Sequence, residues 1–208
     1  YFKEKNYSEA LAVLESIDNG SPEYGDQVSL LIASCYFETS SYSRFYAYAE
    51  PKVVKAKGEN KKEFNRLLGE AYYAQKKYDK ATSYLRQYVD LNKRTTAETY
   101  YKLAMCYFKT GQNKNAIDYF KLSGLDKGEL GQLSSFYLGQ LYMKESNLNY
   151  AYSAFKKVTE GNSNPEMIEE SYITLAKINY QRNQFAEAVA DFNVFLEKYP
   201  NSRYKLEA

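Results

Sequence analysis

Leu68-Gly69-Glu70-Ala71-Tyr72-Tyr73 decides the reading of this chain because it returns. Leu103-Ala104-Met105-Cys106-Tyr107-Phe108 copies it, followed by Leu138-Gly139-Gln140-Leu141-Tyr142-Met143 and Leu175-Ala176-Lys177-Ile178-Asn179-Tyr180. Upstream, Ile32-Ala33-Ser34-Cys35-Tyr36-Phe37 is a weaker copy. The leading residues 32, 68, 103, 138 and 175 are separated by 36, 35, 35 and 37 positions. A fixed period of about 20–50 residues marks a repeat architecture, in which each unit buries its apolar face only by stacking on the next.

A second landmark follows each Tyr by nine residues: a small Ala with a bulky residue four further on. The pairs are Ala10/Leu14, Ala81/Leu85, Ala116/Phe120, Ala151/Phe155 and Ala188/Phe192. Apolar positions three and four apart, as in Leu138, Leu141, Tyr142, have a helical period. The small residues let two helix backbones approach, and the bulky one fills the space above them. Thr110-Gly111-Gln112-Asn113 and Glu160-Gly161-Asn162-Ser163-Asn164-Pro165 read as breaks between helices, with Gly at an end and Pro at a start.

The pattern resembles the tetratricopeptide repeat family: an aromatic (Tyr100, Tyr172), Leu with a small neighbour, Tyr, then Ala, a bulky residue, and Pro (Pro22, Pro200) eight later. The resemblance covers essentially the whole chain and implies an all-α fold, a right-handed α-solenoid of antiparallel helix pairs. Five full repeats are expected at 26–57, 62–95, 97–130, 132–165 and 169–200, between a partial one at 1–22 and the start of a further helix at 201–208. Tyr1 stands nine positions before Ala10, so the chain is expected to begin inside a repeat and to belong to something longer.

Two places depart from the pattern. Phe45 and Ala49 exchange the small and bulky landmarks, and Pro51 falls inside the expected second helix. An interior Pro removes a hydrogen bond and costs roughly 3 kcal/mol, so that helix is expected to end or kink near Glu50, with 51–62 as a longer connection. Asn179 stands where Tyr is expected, after a loop two residues longer than the others.

Composition argues against chemistry. The chain has no His, no Trp and two Cys, so the commonest general base and metal ligand are missing. Neighbouring carboxylates such as Glu169-Glu170 point to different helix faces. The three glycines of Gly124–Gly131 match no phosphate loop and read as a helix-to-helix connection. Cys35 and Cys106 share one repeat position two repeats apart, about 20 Å at roughly 10 Å per layer. A disulfide tolerates about 7 Å between Cα atoms, so no bridge is expected. No enzyme activity, cofactor or metal is expected. A net charge of +2 gives no reason to expect nucleic acid, and no apolar run suits membrane insertion.

The small net charge hides a gradient. Residues 1–49 carry three basic and seven acidic side chains, 50–94 twelve and six, and 95–208 thirteen of each. The basic middle, with Lys52, Lys55, Lys57, Lys61 and Lys62, is either a solvated face or a docking site for an acidic partner or anionic surface.

In the family, the first helix of each pair lines a concave groove. The resemblance places Phe37, Tyr73, Phe108, Met143 and Tyr180 there, with Phe2 at the start of the chain. Leu30, Arg66, Tyr101, Phe136 and Ile173 share that face, as do Ser34, Glu70, Met105, Gln140 and Lys177. The middle, around Tyr101, Met105, Phe108, Phe136, Gln140 and Met143, is rich in the aromatics and Met that peptide grooves use. The same stripe is also what packing between repeats would require. Members that clamp the terminal carboxylate of chaperone tails use Lys and Asn on this face. Here Arg66 has Glu70 one turn on, and apolar residues take its place elsewhere, so that recognition is not expected.

The expected function is a protein-interaction scaffold with a protein or peptide partner. Two alternatives stand beside it: an assembly module that self-associates as a homodimer through its ends (Tyr1, Phe2, Tyr204, Leu206), and a sensor of a small peptide or glycan. Phe195–Ser202 resembles repeats of bacterial envelope proteins, which suggests the periplasm or outer membrane, with the cytoplasm as alternative.

Overall fold

A computed structural model describes residues 6–18, 25–92, 94–125 and 128–207. The repeat landmarks Tyr1, Phe2 and Pro22 lie outside them. Among the described residues every regular element is helical. The α-helices are α1 (Tyr7–Asp18), α2 (Gly25–Glu38), α3 (Tyr42–Lys55), α4 (Gly58–Ala74), α5 (Tyr78–Leu91) and α6 (Ala97–Lys109). They continue as α7 (Asn113–Ser123), α8 (Glu129–Lys144), α9 (Leu148–Thr159), α10 (Pro165–Gln181) and α11 (Phe185–Lys198). A 3-10 turn at Lys205–Glu207 lies in the stretch expected to open a further helix.

The chain forms two compact units, Tyr1–Thr95 and Thr96–Ala208. In the first, α2 packs on α1, α3 and α4, and α4 pairs with α3 and α5. In the second, α6–α7, α8–α9 and α10–α11 form hairpins, and each stacks on the next through α7 against α8 and α9 against α10.

One turn closes every hairpin. The residue after the first helix's cap is left-handed at Ser40, Lys76, Gly111, Ser146 and Asn183. The following N–H reaches back five residues: Ser41 to Tyr36, Lys77 to Tyr72, Gln112 to Tyr107, Asn147 to Tyr142 and Gln184 to Asn179, at 2.7–2.9 Å. Paired with the inner bond from the left-handed residue itself, such as Lys76 N–H to the Tyr73 carbonyl at 2.9 Å, this is the Schellman stop. The Tyr landmark's carbonyl is thus the anchor of the turn, whichever residue fills the left-handed place.

The core lies between the two helices of each pair. Ile32, Leu68, Leu103, Leu138 and Leu175 are buried, as are Ala81, Ala116, Ala151 and Ala188. Two glycines show how closely the helices approach. A Cβ at Gly69 would lie 2.7 Å from the Leu85 side chain, and one at Gly139 2.7 Å from the Phe155 ring. In α11 the fully buried ring is Phe195, while Phe192 is only half-buried.

Pro51 does not end α3. The helix runs to Lys55, and the connection to α4 is Ala56–Lys57 alone, not 51–62. Phe45, Ala49, Val53 and Ala56 are all buried on one face, so the turn after Pro51 is held by core packing. Fully burying a Val side chain contributes about 1.5–3 kcal/mol, comparable with the proline penalty. Pro51→Ala is therefore expected to raise stability by up to about 3 kcal/mol, measured by urea denaturation. A destabilised variant would show that the proline is the preferred residue in this backbone.

The glycine segment 124–131 is also shorter as a connection than its sequence suggests. α8 already begins at Glu129, and Gly131 is buried inside it. The longer loop before α10 is tied by Gln132. Its Nε2 donates to the Val158 carbonyl at 2.8 Å, and its Oε1 accepts from the Ser163 N–H at 2.9 Å. Asn164 then caps α10 by accepting from the Met167 N–H at 3.1 Å, with Pro165 at the first helical position.

Candidate functional site

The first-helix face of the second unit carries residues from α6, α8 and α10. Tyr101, Met105 and Phe108 recur along α6 at the spacing of one helix face, as do Phe136, Gln140 and Met143 along α8. α6 and α8 are in direct contact. Their depths differ. Met105 and Phe136 are buried, whereas Tyr101, Phe108, Gln140 and Met143 are half-buried.

The difference comes from an aromatic cluster beneath the face. Phe120 of α7 is fully buried and stacks on Tyr137 at 5.4 Å between ring centroids. Tyr101 meets Phe120 edge-on at 5.9 Å, and Phe108 meets Tyr137 at 5.3 Å. Phe136 turns inward to meet Phe155 edge-on at 5.8 Å. Tyr101 and Phe108 therefore fasten the face to the core with one side of each ring and leave part of the other in solvent.

Tyr137 is the member that repeat reasoning missed. Other repeats place Leu31, Leu67, Lys102 and Thr174 there, so nothing in the period marks the position. The one signal was local: an aromatic directly beside Phe136 in α8.

On α10, Ile173 is buried, and Lys177 lies half-buried with its Nζ 6.0 Å from the Tyr204 ring centroid. Tyr180 is 61% exposed and meets Phe185 edge-on at 5.6 Å. Asn179, in the place of the usual Tyr, is buried. Its Nδ2 donates to Asp191 Oδ2 at 2.7 Å, and its Oδ1 accepts from Arg182 at 3.3 Å.

In the first unit, Phe37 packs edge-on against Phe45 at 5.9 Å, and Tyr73 against Tyr78 at 6.1 Å. Arg66 is held from both sides, its Nε by Glu63 at 2.8 Å and an Nη by Glu70 at 3.4 Å. Burial works against the charge, but the Glu63 hydrogen bond and the Glu70 charge outweigh it and hold the guanidinium above its usual range. Both Arg66 contacts are thus made within the same helix.

Helices α3, α4 and α5 of the first unit hold another aromatic set. Tyr46 and Tyr72 stack at 4.2 Å, and Tyr72 and Tyr84 at 5.7 Å, both within 7° of parallel. The Tyr72 hydroxyl donates to Glu50. Burial first, and then the neighbouring Tyr72, push the Tyr46 phenol up to about 12. Burial and, against a lowering contribution from Ser29, the hydrogen bond to Asp18 push Tyr48 to about 12. A phenol raised on folding favours the folded state below its ordinary value near 10, and that contribution is lost as pH climbs through the folded value. Stability is therefore expected to fall between about pH 10 and 12 in a series of urea titrations, and Tyr46→Phe is expected to flatten that fall. A pH-independent midpoint across the window would contradict the packing of these rings.

The Cys35 and Cys106 side chains are both buried. Burial pushes the Cys35 thiol above its usual range, away from a reactive thiolate. Among the described residues there is no cluster of three metal-binding side chains, and no helix is long and apolar enough to cross a membrane.

Comparison with known proteins bears on the fold. Family models described as tetratricopeptide repeat match residues 66–128 and 170–202. Among solved structures, the chain is similar to YrrB, described as a tetratricopeptide-repeat protein with an unusual peptide-binding site. The identity is 16%, the TM-score 0.68, and the coverage 93% of this chain and 95% of that one. It is similar to MamA at 20% identity and a TM-score of 0.64, covering 85% and 93%. A third is the C-terminal part of a repeat-containing protein from Cytophaga hutchinsonii, at 21% identity and a TM-score of 0.64, covering 99% and 80%. No curated protein matches the sequence. The recurring Leu-small-Tyr and Ala-bulky landmarks, the hairpins they close and the two matched stretches agree, and residues 66–128 and 170–202 are tetratricopeptide repeats.

Proposed function

We propose that this protein is a protein-interaction scaffold that holds an extended peptide segment, or one face of a partner helix, on the first-helix face of its second unit. The observation that carries the reading is the graded stripe on α6 and α8. Phe136 and Met105 are buried beneath it, while Tyr101, Phe108, Gln140 and Met143 remain half-buried on one face. Aromatics anchored on one side offer large apolar area with few rotors to freeze, and Met adapts its shape to a partner. Gln140 supplies an amide that both donates to and accepts from a peptide backbone. The peptide-binding site named for YrrB is consistent with such a use of this fold.

The reading needs no catalytic group, and the partner is a protein or peptide. Peptides selected from a random phage-displayed library against the immobilised protein provide the probe. Their affinity for the native protein and for variants at Met143 tests the proposal. Selected peptides that bind every variant with unchanged affinity sink it.

A further inference from the structure

The basic middle of the sequence has a structural counterpart that the first-helix face does not absorb. A cavity of about 510 Å³ opens on the second-helix side of the first unit, walled by α3, the start of α4, and α5. That volume falls within the range of about 300–1,000 Å³ that small ligands and short peptide pieces occupy. Its existence follows from the turn of α3 after Pro51. That turn carries Val53, which is buried, and Val54, which is 77% exposed, to the cavity's edge. Opposite them, α5 presents Lys80, Ser83, Tyr84 and Gln87, and Lys61 enters from α4.

The cavity's polar groups suit an anion. Among the described residues Glu50 is the one acidic side chain lining it, and it is already engaged. The Tyr72 hydroxyl donates to its carboxylate, and Lys80 Nζ lies 3.4 Å away. Lys80 also donates to the Tyr72 oxygen at 3.1 Å and sits 4.9 Å from that ring's centroid, which fixes the ammonium at the cavity wall. Ser83 adds a hydroxyl and Gln87 an amide. The surrounding run 50–62 holds five Lys against two Glu, and one of those two, Glu59, is paired with Lys62 at 2.7 Å.

We infer that this cavity docks an acidic segment of a partner protein. Its carboxylates meet Lys61 and Lys80, and an adjoining apolar side chain covers Val54. Charge complementarity selects the sign of the occupant, and the exposed Val54 beside the lysines selects a peptide with an apolar residue among its acids over a bare anion. This site lies within the first unit and stands independently of the peptide face of the second.

The test uses a fluorescein-labelled peptide of alternating Glu and Leu, followed by anisotropy at low salt against the whole chain. Lys61→Glu combined with Ser83→Glu places negative charge inside the cavity and leaves the Lys80–Glu50–Tyr72 contacts in place. It is expected to weaken binding about tenfold or more, a loss typical of like charges set face to face. Lys55→Glu combined with Lys76→Glu changes the net charge by more, but at exposed positions that do not line the cavity. It is expected to weaken binding less than about threefold, the screened effect of distant charge. Val54→Ala is expected to weaken it measurably with no change of charge.

The reverse order for the two charge variants identifies a diffuse basic face and overturns the proposal. So does absence of peptide binding, including the case in which only phosphatidylserine vesicles are retained. Met143→Glu leaves this binding unchanged, which keeps the outcome separate from that of the groove. Circular dichroism of each variant confirms that the helices are intact.

Discussion

Phe120→Ala is expected to destabilise the second unit by about 3–5 kcal/mol, the range for a buried aromatic replaced by Ala. The ring is completely buried and is the common neighbour of three others. Tyr101 meets it at 5.9 Å, Phe108 at 6.4 Å and Tyr137 at 5.4 Å. Removing it leaves a cavity and also deprives three half-buried rings of the surface that orients them. Phe120→Leu keeps most of the volume and is expected to cost about 1.5 kcal/mol or less. Repeat proteins unfold piecewise, so a single global transition is not assumed. Hydrogen exchange is the suitable readout. Amides of α6, α7 and α8 should lose protection together, and those of α4 and α5 should keep theirs. A loss below about 1 kcal/mol in α6–α8, less than a buried ring is worth, would show that Phe120 is not the core of this unit.

The second large effect concerns binding. Met143→Glu is expected to weaken peptides selected on the native protein by about 30-fold or more, the loss of about 2 kcal/mol that marks an interface hot spot. Met143 is half-buried one turn after Gln140, on the same face as Tyr101 and Phe108. A carboxylate there must be desolvated whenever an apolar peptide residue covers it. Met143→Leu conserves volume and is expected to retain binding within about threefold, because hydrophobic swaps of similar size are tolerated. The pair of variants separates a lost contact from a lost fold, since both leave the Schellman stop at Ser146 and its bond to the Met143 carbonyl in place. Equal affinity for both variants would remove the face from the function.

Much of the fold was legible because stacking puts the same residue into the same environment every 35 positions or so. Leu68, Leu103 and Leu138 are buried for one reason, and so are Ala81, Ala116 and Ala151. Local rules failed where tertiary packing outweighed them. At Pro51 the penalty is visible in the sequence, but the burial of Val53 and Ala56 that offsets it is set by neighbouring helices. At Lys76 and Ser40 the left-handed turn is imposed by the bond to the Tyr landmark's carbonyl, without the Gly that would have announced it.

The candidate face was legible to the same extent. Spacing shows that Phe136, Gln140 and Met143 share a side of α8, but depth depends on what the next hairpin supplies. Phe155 draws Phe136 inward, while Gln140 stays half-buried. Tyr137 went unread because it occurs once, and a period reveals only what repeats. The cavity beside Val54 is legible as charge in the run of lysines, but its walls form only when three successive helices pack together.

The most direct test uses the chain's three methionines, Met105, Met143 and Met167, as methyl reporters. With ¹³C-methyl-methionine labelling, a selected peptide should shift and broaden the Met143 resonance and move that of Met105 beneath it. The Met167 resonance, at the start of α10, should stay unchanged. That pattern is what a peptide lying on the first-helix face of the second unit produces. A selected peptide that binds while Met143 stays silent, or that moves Met167 alone, would contradict it.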